Sequence, residues 1–189
     1  MIDATDMQNN SLPQRAAWGA VLTAVTVLST LYLACATPFA ALATMAAIFL
    51  PRRDALVLIG VNWLANQAIG FGLLHYPLTW SCFQGGINLG IAGMASVGAA
   101  MITYRPLRKV GSALSVVGAF AAAFVAYEGA LYLSAMGRFE GDFSVPITLY
   151  ILYINGLALA GLLALQLLAG ATGLVASHAK PGARVARAS

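Results

Sequence analysis

Long apolar runs separated by short polar turns set the rhythm of this chain, and their lengths predict helices rather than strands. Ala16 to Ala36 is long enough to cross a bilayer, at about 20 residues per crossing. Thr37 and Pro38 interrupt it, and Phe39 to Leu50 follows as a run of twelve. A helix of that length rises only about 18 Å, so this second segment is expected to be thin, tilted or partly re-entrant. Pro51, Arg52, Arg53 and Asp54 make a polar turn. A third span is then expected over Ala55 to Leu74, with a turn at His75 to Thr79. A fourth runs from Trp80 to Thr103, closed by Tyr104, Arg105, Pro106, Leu107, Arg108 and Lys109. The fifth is Val110 to Met136, followed by a charged loop at Gly137 to Ser144, and the sixth is Val145 to Leu168. The pattern divides the chain into a polar segment at 1–15, a membrane domain of six helices at 16–169 and a small, basic tail at 170–189.

Composition sharpens this reading. The chain is 60% hydrophobic and 8% charged, whereas charged residues make up about a quarter of a soluble domain. The expected fold is an all-α integral membrane protein, a compact bundle of six transmembrane helices. The first sixteen residues are polar and carry two acids, so they lack the basic start of a signal peptide. The first helix is expected to enter the membrane uncleaved.

The net charge of +4 reports orientation before it reports a partner, and nucleic acid is not an expected one. With both termini cytoplasmic, Arg15, Arg52, Arg53, Arg105, Arg108, Lys109, Lys180, Arg184 and Arg187 all fall inside, and Arg138 alone falls outside. That asymmetry is a strong positive-inside signal, and it fits the cytoplasmic membrane of a bacterium. It also supports a crossing by the short second segment, since without it Arg15 and the Arg52 and Arg53 pair would lie on opposite sides; a five-span arrangement with an external N-terminus, which misplaces only Arg15, is the alternative.

Polar side chains within the spans gather towards the opposite, outer side. Asn66 and Gln67 lie past the middle of span three, Asn88 about two turns below the outer end of span four, and Glu128 in the outer third of span five. Tyr150, Tyr153 and Asn155 occupy the outer half of span six. Such groups are costly in hydrocarbon, so each is expected to face the bundle interior or a wet cavity. Each also has a plain structural reading. Amides in membrane helices commonly do no more than bond a neighbouring helix, and the Glu128 carboxyl can be held neutral by burial or paired with an amide or a tyrosine. Gln166, near the inner end, is expected to be solvated.

The stretch NWLANQAIGFGLLHYPLTWSCFQGGIN, Asn62 to Asn88, concentrates this chemistry. His75, Tyr76, Trp80, Cys82 and Gln84 join Asn66, Gln67, Asn88, Glu128, Tyr153 and Asn155 as candidate ligand-binding residues. Tyr76 and Trp80 also suit an interfacial aromatic belt. Cys82 falls in the first turn of a helix, where exposed amides favour a thiolate, and a thiolate suits a soft or borderline metal centre. Its plain reading is a small buried hydrophobe, and a disulfide with Cys35 is open in an oxidising compartment. Gly86 and Gly90 form a GxxxG that lets helices approach. No phosphate-binding glycine loop, HExxH or catalytic triad order is present, so no catalytic residues are expected and no intrinsic cofactor. Ala16, Ala20 and Ala24 form a small-residue stripe suited to another helix.

Six short spans in 189 residues, the NQAIGFGLLHYP segment, the alanine stripe and Cys82 together resemble the S-component of an energy-coupling factor vitamin transporter, most nearly the BtuM-type, cobalamin-specific family. The resemblance implies that Cys82 ligates the cobalt of a transported corrinoid and that Ala16, Ala20 and Ala24 face the coupling membrane subunit. The chain has no ATPase motif, so the resemblance also implies partner ATPase subunits that supply energy. Other readings are an S-component for another vitamin or a metal ion, a small membrane enzyme or redox protein, and a purely structural subunit.

Overall fold

The computed structural model describes residues 19–24, 27–28, 37–135 and 144–171, and all regular structure among them is helical. Residues 19–24 and 27–28 are helical and form α1. They are followed by α2 (Phe39–Phe49), α3 (Arg52–Gly72), α4 (Trp80–Leu107), α5 (Ser112–Ala135) and α6 (Val145–Ala171). Four of these, α3 to α6, are long and apolar enough to cross a membrane, which is consistent with a helical membrane protein. Arg15, Ala16, Cys35, Arg138 and the tail with Lys180, Arg184 and Arg187 lie outside the described residues.

The short helix α2 is the centre of the bundle. All eleven of its residues are buried, and it packs against α3, α4, α5 and α6. A helix that is apolar all round has no face to offer water, and five alanines in FAALATMAAIF let the longer helices close on it from every side. Eleven residues rise only about 16 Å, so α2 does not span a bilayer by its own length. Prolines bound it: Pro38 stands at its N-cap, and Pro51 follows Leu50, whose backbone is extended.

Where α2 begins decides what the rest of the bundle must do. A methyl group added at Gly93 would stand 3.5 Å from Phe39 Cδ1, so the first turn of α2 lies about halfway along α4. The Phe39 ring also meets Tyr127 of α5, with centroids 6.2 Å apart. The N-terminal amides of α2 therefore open into the bundle, and Pro38 supplies no side-chain cap. Asn155 of α6 takes that part. Its Oδ1 accepts from Ala40 N at 3.1 Å and from Ala41 N at 3.2 Å, while its Nδ2 donates to Ile151 O at 3.0 Å.

Two contacts orient α1. A methyl at Gly19 would meet Leu58 Cδ1 at 3.9 Å, and four residues on, Asn62 Nδ2 donates to Thr23 Oγ1 at 3.3 Å. The helical residues of α1 thus run parallel to α3, and residue 19 lies nearer the end that carries Arg52 and Arg53. Between α4 and α5, Ser96 Oγ donates to Ala123 O at 2.9 Å and fixes an antiparallel register.

Helix boundaries depart from the hydropathy pattern at the basic end. Helix α3 starts at Arg52 rather than Ala55, since Pro51 is preorganised for a helix start and the two arginines extend into solvent from the first turn. Helix α4 runs through Tyr104 and Arg105 to Leu107. Pro106 is tolerated there because it sits in the last turn, where it removes a single backbone donor. Gln166, expected in solvent, is 2% exposed, and among the described residues neither its Nε2 nor its Oε1 has a hydrogen-bond partner. The neighbouring Leu162, Leu163 and Leu165 belong to the packed core, and they carry this turn of α6 inward.

Candidate functional site

The turn between α3 and α4 is held by aromatic packing. Phe71 stacks on Phe83 with centroids 4.8 Å apart, and Tyr76 meets Phe71 edge-on at 6.3 Å. Gly70 makes room for this clasp, because a Cβ there would come within 2.8 Å of the Tyr76 ring. Tyr76 N donates to Gly70 O at 3.0 Å, and the chain turns through His75 with φ at 53°. That left-handed conformation is uncommon outside glycine, though histidine is among the side chains that adopt it more often. His75 is exposed and Tyr76 half-buried.

Helix α4 then starts with Thr79 as its N-cap, whose hydroxyl accepts from Cys82 N at 3.4 Å and lies 3.0 Å from Ser81 Oγ. Cys82 is a half-buried free thiol in the first turn. Gln84 is half-buried two positions on, whereas Trp80 is 75% exposed on the outside of the bundle.

One turn deeper, the polar side chains of α3 interlock with α4 and with the entry to α2. Trp63 Nε1 donates to Gly86 O at 2.7 Å, and Asn66 Nδ2 donates to Thr37 Oγ1 at 2.9 Å. Gln67 Nε2 donates to Asn66 Oδ1 at 3.2 Å, which leaves its Oε1 lying over Gly86. Here the pair Gly86 and Gly90 does something other than bring two backbones together. A Cβ at Gly86 would strike Gln67, and one at Gly90 would come within 2.9 Å of the Trp63 indole. The glycines are recesses for two polar side chains of α3.

Two further groups stand near this layer. From the Ser96 to Ala123 bond, Glu128 lies five residues farther along α5 and Asn88 eight residues back along α4. At 1.5 Å per residue the two differ in height by only about 5 Å. Both are half-buried, and Glu128 Oε1 is buried with no hydrogen-bond partner among the described residues. Thus Asn66, Gln67, Gln84, Asn88 and Glu128, from three helices, occupy the half of the bundle beyond the N-terminus of α2, with Cys82 at its rim.

Other candidates are placed elsewhere. Asn155 is fully buried, and its polar atoms are committed to α2 and to its own helix. Tyr153 is 64% exposed and Tyr150 also faces outward, so neither joins the layer. Ala20 and Ala24 are exposed on α1, while Leu22 between them is buried and Thr23 faces α3. Thr37, which the sequence marks only as a helix break, is the partner of Asn66. Its polar role shows only once the fold brings the end of α3 beside it.

The chemistry on offer is amides, an indole, one carboxyl and one thiol. Among the described residues no group of three or more His, Cys, Asp or Glu could hold a metal ion, so a metal here would have to arrive with its own ligands and take one donor from Cys82. No protein-family model, no curated protein and no solved structure matches this chain.

Proposed function

We propose that this protein is a substrate-binding membrane subunit for vitamin uptake, which takes a corrinoid at the end of the bundle opposite Arg52 with Cys82 as the cobalt ligand. The observation that carries the reading is the half-buried free thiol of Cys82, set at the rim of a layer of amides and a carboxyl that α2 leaves uncovered. A thiolate is a soft, charged donor for a metal that already has an equatorial ring. The amides of Gln67, Gln84 and Asn88 suit the amide-rich periphery of a corrin. His75 and Tyr76 lie in the turn that leads into α4, a few residues before Cys82.

The corresponding topology has six crossings, with α1 and the descending α2 making the first pair, both termini cytoplasmic and the site open to the outside of a bacterial cytoplasmic membrane. The distribution of basic residues supports this orientation, as does the parallel run of α1 and α3. Energy comes from partner ATPase subunits through a coupling membrane subunit. The exposed Ala20 and Ala24 on α1, with Ala16 before them, are the surface on which that subunit packs.

Titration of the purified protein with a corrinoid, followed by visible absorbance, tests the proposal. A saturable shift of the corrin bands is expected, and Cys82→Ala should abolish it while leaving the melting temperature unchanged. An unshifted spectrum, or a shift that survives Cys82→Ala, would refute the ligand role. Thermal-shift screening against other vitamins and metal ions then separates a transport subunit of different specificity from a subunit that binds nothing.

A further inference from the structure

The opposite, basic end of the bundle holds a second concavity that corrinoid capture does not use. Between the C-terminal end of α2, the start of α3 and the end of α4 lies a cleft of about 610 Å³. Its base is apolar, formed by Ala47, Leu50 and Met101, and its mouth carries Arg52, Arg105, Arg108 and Lys109, with no acidic side chain in the lining among the described residues. All four cations are exposed. Helix α3 begins at this mouth with Pro51 at its N-cap, and the half-buried Asp54 in its first turn does not line the cleft.

Basic residues at this end already serve topology, and a random scatter would satisfy that need. Their placement around one cleft is more specific, and a second concavity gives it direction. A groove of about 480 Å³ shares Arg52, Met101 and Arg105 with the first and continues along the flank of α4 past Gly98 and Ile102. Ile102 is 76% exposed, and among the described residues nothing stands within 4 Å of a methyl group placed on Gly98. The two concavities together form a cationic mouth joined to an apolar channel on the membrane-facing side of a spanning helix.

We propose that this is a binding site for an anionic phospholipid. The headgroup phosphate lies among Arg52, Arg105, Arg108 and Lys109, and an acyl chain runs along α4 over Gly98. A free phosphate satisfies the mouth alone and leaves the groove empty. The shared arginines connect the two halves, which is why a lipid fits better than a soluble anion. Bound there, the lipid ties the end of α4 to the start of α3 and holds the basic end of the bundle at the membrane surface.

The test uses the full chain in a neutral detergent, with thermal unfolding read after addition of phosphatidylglycerol, phosphatidylcholine or inorganic phosphate. At a hundredfold excess over the dissociation constant, phosphatidylglycerol should raise the melting temperature by on the order of 5–10 °C, with phosphatidylcholine and phosphate each giving little. The double variant R52Q/R105Q should lose most of the rise. Gly98→Leu, which fills the groove at an open position and leaves the cations in place, should weaken the phosphatidylglycerol effect by tenfold or more in lipid concentration. Equal stabilisation by phosphatidylcholine, a rise reproduced by phosphate, or a rise indifferent to both variants would overturn the assignment. Because the readout needs no corrinoid and Cys82 is untouched, its outcome is independent of the function proposed above.

Discussion

Removing the amide of Asn155 isolates one consequence of placing a helix start inside a bundle. Asn155→Ala deletes the side-chain acceptor that Ala40 N and Ala41 N share among the described residues, and Pro38 supplies no side-chain cap. An unsatisfied buried donor costs about 1–3 kcal/mol, which for two amides gives an upper figure near 4 kcal/mol after partial relaxation. Hydrogen bonds between membrane helices average only about 0.6 kcal/mol, which sets a lower figure near 1 kcal/mol. A loss of about 2 kcal/mol is expected, a fall in melting temperature of roughly 4–8 °C for a chain of this size. Asn155→Leu fills the space but offers no acceptor, so it should lose a similar amount, which separates the lost hydrogen bonds from the cavity. Thermal unfolding in detergent, with size-exclusion chromatography to confirm a folded state, reads both variants. A fall below about 1 °C for Asn155→Ala, or full stability in Asn155→Leu, would refute the capping role.

Two further substitutions probe the candidate site. Gly90→Ala pushes a methyl into the indole of Trp63, which is pinned by its bond to Gly86 O. Overpacking of this kind costs about 1–3 kcal/mol, and a change in Trp63 fluorescence should accompany the lower melting temperature; an unchanged emission and melting temperature would count against the recess. His75→Gly places the residue best suited to φ of 53° in the turn and should leave stability unchanged or raise it by up to about 1 kcal/mol. A clear loss of stability would mean that the imidazole makes contacts the turn depends on.

The sequence carried some of this architecture openly and hid the rest. The long helices were legible because each is a nearly unbroken apolar run, bounded by Pro51, by the His75 to Thr79 turn or by the Arg108 and Lys109 pair. The brevity of the second segment was legible too, from the spacing of Pro38 and Pro51. Its burial on every side was not, because an apolar run reads the same whether lipid or protein surrounds it. Depth along each helix could be counted, and it placed Asn66, Gln67, Asn88 and Glu128 near one level. Azimuth could not, since these helices are apolar on almost every face and offer no polar stripe by which to turn them. Tyr150 and Tyr153 therefore point outward although their depth is right, Asn155 caps a helix rather than facing a ligand, and Gln166 points into the core. Contacts between distant segments, such as Asn66 with Thr37 or Trp63 with Gly86, have no local signature at all.

On the function proposed above, the Cys82 thiol at the rim of this polar layer bonds directly to a metal carried by the ligand. X-ray absorption at the cobalt edge, recorded on corrinoid-loaded protein and on Cys82→Ser treated in the same way, measures that bond most directly. A single sulfur neighbour of cobalt in the native protein, replaced by an oxygen or nitrogen in the variant, is the expected result. A cobalt shell without sulfur in the native protein would contradict it.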